Sequence, residues 1–262
     1  MRYLFICMLS FSVVFFTGCS NKSVPKNGTI EKSDIQDSQE DLFLDEFDDE
    51  FLIEEKPDPF NSYNRKITSF NDGVFEYVLM PIAKGYDKVM PDEVQNSIAN
   101  FFENIVFPIR LANNLLQGKV QNSIEETGRF IINTTIGIVG LFDPAKSYFK
   151  LEAHKEDFGQ TLGYWGVGAG PHIVLPFFGP SNLRDTVSIY PNSLLNPSIY
   201  YHHRGYNLTK NSKHSLYVKA FQKVNESSIQ WQRYEKIRED AVDLYPYLRD
   251  AYEQYRQKQI EE

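Results

Sequence analysis

The chain predicts an all-α fold with one glycine-rich irregular insertion, and three observations carry that reading. Apolar residues recur at three- and four-residue spacing in separate segments, the period of one helix face. Strand-like alternation is scarce, and there is no internal repeat. Residues 157–185, DFGQTLGYWGVGAGPHIVLPFFGPSNLRD, stand apart. They are too rich in glycine and proline for a long helix and too apolar for a solvated loop. Gly159, Gly163, Gly166, Gly168 and Gly170 fall every two to four residues, with Trp165, Val167, Ile173, Val174, Leu175, Phe177 and Phe178 among and after them. Pro171, Pro176 and Pro180 remove backbone donors and fix the chain's direction. Arg184-Asp185 closes the stretch with a charge pair.

The elements follow in order. Residues 1–18 read as a secretory signal: Arg2 is the positive start, Tyr3 to Phe16 an uncharged apolar run, and Thr17-Gly18 a small-residue ending. The run is too short and wrongly flanked for a membrane span. Its Gly-Cys ending resembles a bacterial lipoprotein signal, in which Cys19 becomes the lipidated first residue of the mature chain. An ordinary signal peptide with an incidental cysteine is the alternative. The place of Cys19 at the end of the apolar run favours lipidation, and Ser20, rather than aspartate, favours the outer membrane. Cys7 leaves with the signal, so the mature chain holds no pair for a disulfide and no thiolate metal site.

Residues 19–57 read as a lipidated, acidic, disordered linker. From Glu31 to Asp58 there are 13 acidic residues against Lys32 and Lys56, a net of −11. Residues 59–262 hold 22 charges of each sign, so the overall −8 resides in the linker, offset by Arg2, Lys22 and Lys26. Such a run repels itself and stays extended. Phe43, Leu44, Phe47, Phe51, Leu52 and Ile53 interrupt it and offer a short amphipathic docking segment. The balanced remainder carries no basic excess, which argues against nucleic acid.

Residues 58–262 form a single folded domain of about 200 residues. Asp58-Pro59 supplies a cap and a first-turn proline. Phe60, Tyr63, Ile67, Phe70, Val74 and Tyr77 mark one helix face, which Pro81 ends or kinks. Pro91-Asp92 starts a second helix through Val94, Ile98, Phe101, Phe102 and Ile105, interrupted at Pro108. Leu111, Leu115 and Leu116 lead to a stop at Gly118. A third helix runs from Val120 to Thr135. Gly137 to Phe142 is a short apolar turn closed by Asp143-Pro144. Asn192 to Gly205 reads as loop, and residues 212–260 as two helices broken near Pro246. No segment after the signal has the roughly 20 apolar residues of a membrane span. The amphipathic stripes fit either the core of a soluble bundle or helices lying in a membrane interface, and a lipid anchor favours the second for the set.

Enzyme chemistry finds little support. No G-x-S-x-G elbow surrounds a serine, and Ser181 has no marked base. The glycines at 163–170 lack the dinucleotide spacing and its acidic partner. His154, Glu156 and Asp157 are adjacent in sequence but lack a helix-spaced second histidine, and His202-His203 reads as surface. No nucleophile–base pair is visible, and no cofactor is implied.

Several segments together resemble the VacJ/MlaA family of outer-membrane lipoproteins. They begin with Asp58-Pro-Phe, Tyr63-Asn64-Arg65, Phe70-Asn71, Pro81, Tyr86 and Asn100-Phe-Phe-Glu-Asn104. Asn114-Leu-Leu-Gln-Gly118, Gly128-Arg-Phe, Asn133-Thr-Thr-Ile-Gly137 and Gly140-Leu-Phe-Asp-Pro144 follow. Asp157 to Gly163, Trp165 to Gly168, Gly170-Pro171, Leu175-Pro176, Gly179-Pro180, Arg184-Asp185 and Tyr247 to Tyr252 complete them. The match is dense over residues 58–200; the acidic linker and residues 201–235 depart from it.

The resemblance implies amphipathic helices forming a compact ring-like domain seated in the membrane, on the periplasmic face of the outer membrane and beside trimeric porins. It implies removal of phospholipid misplaced in the outer leaflet and its delivery to a periplasmic lipid-carrier protein. Gly163, Gly166, Gly168 and Gly170, with Arg184 and Asp185, are then candidates for lining or gating the lipid path. Arg129, Arg184 and Asp185 are too costly facing hydrocarbon and are expected to line water or pair internally. A plain structural pair is the equal alternative for Arg184-Asp185. Two other readings stay open: a structural or adhesive surface lipoprotein, and a lipid hydrolase.

Overall fold

The stripe that begins at Phe60 becomes a helix longer than Pro81 should allow. α1 (Asn61–Val74) passes into a π-helical turn (Phe75–Leu79) and resumes as α2 (Met80–Asp87). The computed structural model describes residues 58–202, 205 and 207–262. Pro81 therefore does not end the helix, and of the two expected outcomes only a local distortion is left. The widened π turn lies immediately before it and absorbs the crowding that a proline ring imposes on the preceding turn.

α3 (Asp92–Ile105) and α4 (Phe107–Leu116) are separated by Val106 alone, so Pro108 sits harmlessly in the first turn of α4. Gly118 ends the helical turn after α4 at φ +73, where a side chain would be strained. α5 (Val120–Thr135) has the expected bounds, and α6 (Pro144–Ser147) is capped by the Asp143 carboxylate on the Lys146 amide.

The glycine-rich stretch is less irregular at its ends than expected. Asp157 caps α7 (Phe158–Tyr164), and Asn182 caps α8 (Leu183–Leu195). Between them two isolated antiparallel bridges, His172 to Asn182 and Leu175 to Gly179, fold the chain into a narrow loop with Phe177 and Phe178 at its tip. α8 continues through Pro191 to Leu195, so Asn192 to Leu195 are helix rather than loop. The side chain of Asn192 accepts from the Phe158 amide at 3.0 Å and pins that end against α7.

α9 (Ser212–Asp240) spans 29 residues, roughly 43 Å at 1.5 Å per residue. The break before α10 (Leu244–Glu261) falls at residues 241–243 rather than at Pro246, which occupies the first turn after the Asp243 cap. α9 lies along α2 and α3, α4 packs on α5, and α7 packs on α8 and α10. Among the described residues no helix is long and apolar enough to cross a membrane.

The distribution of side chains is the reverse of a soluble bundle. Among the described residues 28 buried positions are polar or charged and seven are apolar. Gln95, Glu126, Asn64, Asn113, Asn114, Asn182 and Asn225 are among the largest wholly buried side chains. The first and third amphipathic stripes turn outward, with Phe60, Tyr63, Phe70 and Tyr77, then Ile124 and Ile131 exposed, whereas the second exposes Val94 but buries Phe102. Sequence period located the helix faces but could not say which way they turn.

Candidate functional site

The polar interior is built from pairs that satisfy one another. On α4 and α5, the Arg110 Nε donates to Glu126 at 2.7 Å, and the other Glu126 oxygen accepts from the His154 amide at 2.6 Å. Gln117 donates to Glu156 at 2.6 Å and to Thr161 at 3.2 Å, while the Thr161 hydroxyl donates to Asn113 at 2.8 Å. The Arg129 Nη2 reaches Asp143 at 2.6 Å, and Asn133 donates to the same carboxylate at 2.9 Å. Arg129 thus pairs internally, as the cost of a bare charge in hydrocarbon requires.

A second network ties the last helix to the glycine-rich stretch. The Arg256 guanidinium, on α10, donates to Asp157 at 2.8 and 3.0 Å and to Asp185 at 2.9 and 3.1 Å. Arg184 donates to Asp185 at 3.0 Å and the Tyr252 hydroxyl donates to it at 2.7 Å. Burial alone would raise the Asp185 carboxyl, but hydrogen bonds and charge from Arg256, with Arg184 and Tyr252, hold it down at about 2. Burial, with Asp185 alongside, pushes the Tyr252 phenol up, so it stays a donor.

The narrow loop after α7 is held by α1. Asn64 donates to the His172 carbonyl at 3.0 Å and accepts from the Val174 amide at 2.8 Å. One face further along, Asn71 donates to the Leu175 carbonyl at 3.0 Å and accepts from the Phe177 amide at 2.7 Å. Two side-chain amides seven residues apart thereby stand in for a neighbouring strand. The Phe177 ring meets Phe70 edge-on with centroids 5.2 Å apart, while Phe177 and Phe178 are 67% and 75% exposed.

Apolar exposure continues at the turn after α5. Ile138 and Val139 hold φ of +53 and +60, rare for β-branched residues, and their side chains point outward together with Ile136 and Phe142. The Gly140 amide bonds the Asn133 carbonyl at 2.8 Å, and at φ +87 a Cβ on Gly140 would lie 2.5 Å from Asn104. The strain is held where it presents hydrocarbon to the surroundings.

The residues singled out from sequence fall into two groups. A Cβ on Gly163 would lie 2.6 Å from Ile260 and 2.9 Å from Arg184, and one on Gly170 would press Leu183 at 3.0 Å. Arg184 and Asp185 are buried in the α10 network. Gly166 and Gly168 face open space. His154, Glu156 and Asp157 diverge to Glu125, to Gln117 and Lys119, and to Arg256, and no cluster able to hold a metal occurs among the described residues. Ser181 is buried, 3.1 Å from the Thr186 hydroxyl, and His202 is exposed. Cys19, the signal at 1–18, the linker at 19–57 and His203 lie outside the described residues. Sequence reasoning missed Asn64, Asn71, Tyr252 and Arg256 as organising residues. The first three lie inside quoted segments, but their long-range partners leave no local trace.

These features have relatives. The family profile described as MlaA lipoprotein matches residues 56–259. An uncharacterized protein of Rickettsia bellii (strain RML369-C) is 36% identical over 206 residues, 78% of this chain and 77% of that one. The intermembrane phospholipid transport system lipoprotein MlaA of Escherichia coli (strain K12) is 35% identical over 135 residues, 50% of this chain and 53% of that protein. A solved structure concerned with the structural basis for maintenance of bacterial outer membrane lipid asymmetry aligns at a TM-score of 0.66 and 29% identity. It is covered completely and covers 78% of this chain. With its outward apolar faces and paired interior charges, the chain belongs to the MlaA lipoprotein family.

Proposed function

We propose that this protein is an outer-membrane lipoprotein that removes phospholipid mislocalised to the outer leaflet and passes it to a periplasmic lipid carrier. The single observation that carries the reading is the inversion of burial: large apolar side chains face outward while charges pair inside. A bilayer interface solvates such a surface and water does not. The names of the curated relatives and membership in the family support the cargo and the compartment.

The finer parts of the reading rest on physical fit. Lipid on Cys19 would hold the domain at the periplasmic face, and a trimeric porin would be its neighbour there. Gly166 and Gly168, where an added Cβ would meet open space, would be the members of the central run that keep a lipid path free of side-chain bulk. Gly163, Gly170, Arg184 and Asp185 act as its frame. No bond is made or broken in the chain, so the task is transfer of an intact lipid.

The test uses purified protein with vesicles carrying a phospholipid labelled on both headgroup and acyl chain. Removal of the doubly labelled, intact lipid to a soluble acceptor is expected. Release of labelled fatty acid would make the protein a hydrolase and overturn the proposal, and retention of all label in the vesicles would favour a structural or adhesive lipoprotein.

A further inference from the structure

Residues 186–225 contain no aspartate or glutamate, although the chain holds 35 acidic residues. The 37 residues that follow, 226–262, carry nine acidic and six basic ones. The charge boundary falls inside α9. Its first half and the bend just ahead of it place Lys210, Lys213, Lys219 and Lys223 at the surface, with Leu216, Tyr217 and Phe221 exposed among them. Lys213, Leu216, Tyr217, Ala220 and Lys223 follow the three- and four-residue spacing of one outward face. Glu226 lies 3.9 Å from Lys223, three residues further along the helix.

The fold does not ask for these lysines. Lys213 lies in the first turn of α9, where the helix dipole disfavours a cation. The polar contacts of this end are made by other residues: Asn211 caps the His214 amide, and the Ser215 hydroxyl donates to the Ser198 carbonyl at 2.7 Å. That last bond seats the start of α9 against the segment leaving α8. α8 in turn exposes Val187, Ile189, Tyr190 and Leu194 and carries no charge after Asp185. An uncharged apolar face thus continues into a cationic one bearing tyrosine and phenylalanine.

We propose that the first half of α9 is a docking surface for the anionic phospholipid headgroups of a membrane. Lysine stems lie along apolar surface while their ammonium groups reach outward to phosphates, and tyrosine suits the boundary between the two. Charge complementarity identifies the partner as anionic, and continuity with the exposed apolar face of α8 identifies it as a lipid surface rather than a soluble anion. The surface lies within residues 201–235, outside the segments that carry the sequence resemblance but inside the span that the family profile matches. Docking there does not depend on lipid transport.

The test floats the full chain carrying Cys19→Ala, in detergent too dilute to dissolve vesicles, with vesicles of phosphatidylglycerol and phosphatidylethanolamine or of phosphatidylcholine alone. Replacing Lys213, Lys219 and Lys223 together by glutamine is expected to weaken binding to the anionic vesicles roughly a hundredfold. Binding to phosphatidylcholine and the thermal unfolding midpoint should not fall, and high salt should erase the difference. Equal binding of parent and variant to anionic vesicles would overturn the proposal. Zero-length cross-links between these lysines and residues 31–57 in the presence of anionic vesicles would also overturn it, by making the chain's own acidic segment the occupant. Either failure leaves the transport reading untouched, because the assay measures membrane selectivity and not lipid removal.

Discussion

Arg256 and Asp185, 71 residues apart, form a two-pronged ion pair with contacts of 2.9 and 3.1 Å, and through it the last helix holds the glycine-rich stretch in place. Both side chains are buried, so removing one leaves the other with only part of its network. Arg256→Ala should destabilise the fold by about 3 kcal/mol, because buried Asp185 would keep only Arg184 and Tyr252 and half-buried Asp157 would lose its guanidinium partner. Thermal unfolding in mild detergent measures it, and a loss within error of a surface substitution would mean the network is dispensable.

The same pair fixes a pH dependence. Asp185 titrates at about 2 when folded, below the ordinary 3.8, so its contribution is complete above the unfolded value and disappears as pH falls through the folded one. That contribution is about 2 kcal/mol. Asp185→Asn should therefore flatten the stability curve between about pH 4 and pH 2 relative to the parent chain. Parallel curves for the two proteins would show that Asp185 is not held in this way.

Much of the fold was legible because helix signals are local. Proline and glycine punctuation, together with apolar period, located α3, α5 and the stop at Gly118 closely. The direction of the stripes was not legible: Phe70 and Ile131 have the same spacing whether they face a core or a lipid. The clue lay in the opposite faces, where Arg110, Glu126 and Arg129 are too polar to fill a core unless paired. Pairings such as Arg256 with Asp157, or Asn64 with the loop at 172–174, bring together residues a hundred or so positions apart and cannot be read from either segment. Pro81 left two outcomes open, and the helix continues past it because a π turn can accommodate what an α-helix cannot.

The glycines of the central stretch should separate by what surrounds them. Gly163→Val must displace Ile260 and the Arg184 guanidinium, so protein level and lipid removal should fall together. A Cβ added at Gly168 meets nothing within 4 Å, so Gly168→Val is expected to leave abundance and location near wild type while outer-leaflet phospholipid rises. Immunoblots of fractionated membranes alongside a surface phospholipid assay decide it. Proportional loss of protein and activity at both positions would reduce the stretch to packing.

Outward apolar faces imply that the domain holds to membranes without its anchor. A chain begun at Asp58 and exported by a cleavable signal should remain monodisperse only in detergent, given exposed Tyr77, Ile124, Phe177 and Phe178. A soluble, detergent-free monomer by light scattering would contradict the membrane-seated reading.

Lipidation of Cys19 is tested separately. Cys19→Ala should abolish incorporation of labelled acyl chains and leave the signal unprocessed by the lipoprotein route. Undiminished acyl labelling would place the lipid elsewhere or nowhere.

The central claim is that this chain clears phospholipid from the outer leaflet, and the direct measurement is the amount of phospholipid exposed there with and without its gene. Labelling of surface phospholipid by an enzyme that cannot cross the outer membrane should rise in a deletion strain and return to the parental level when the gene is restored. Parental labelling in the deletion strain, with membrane protein composition otherwise unchanged, would contradict the account.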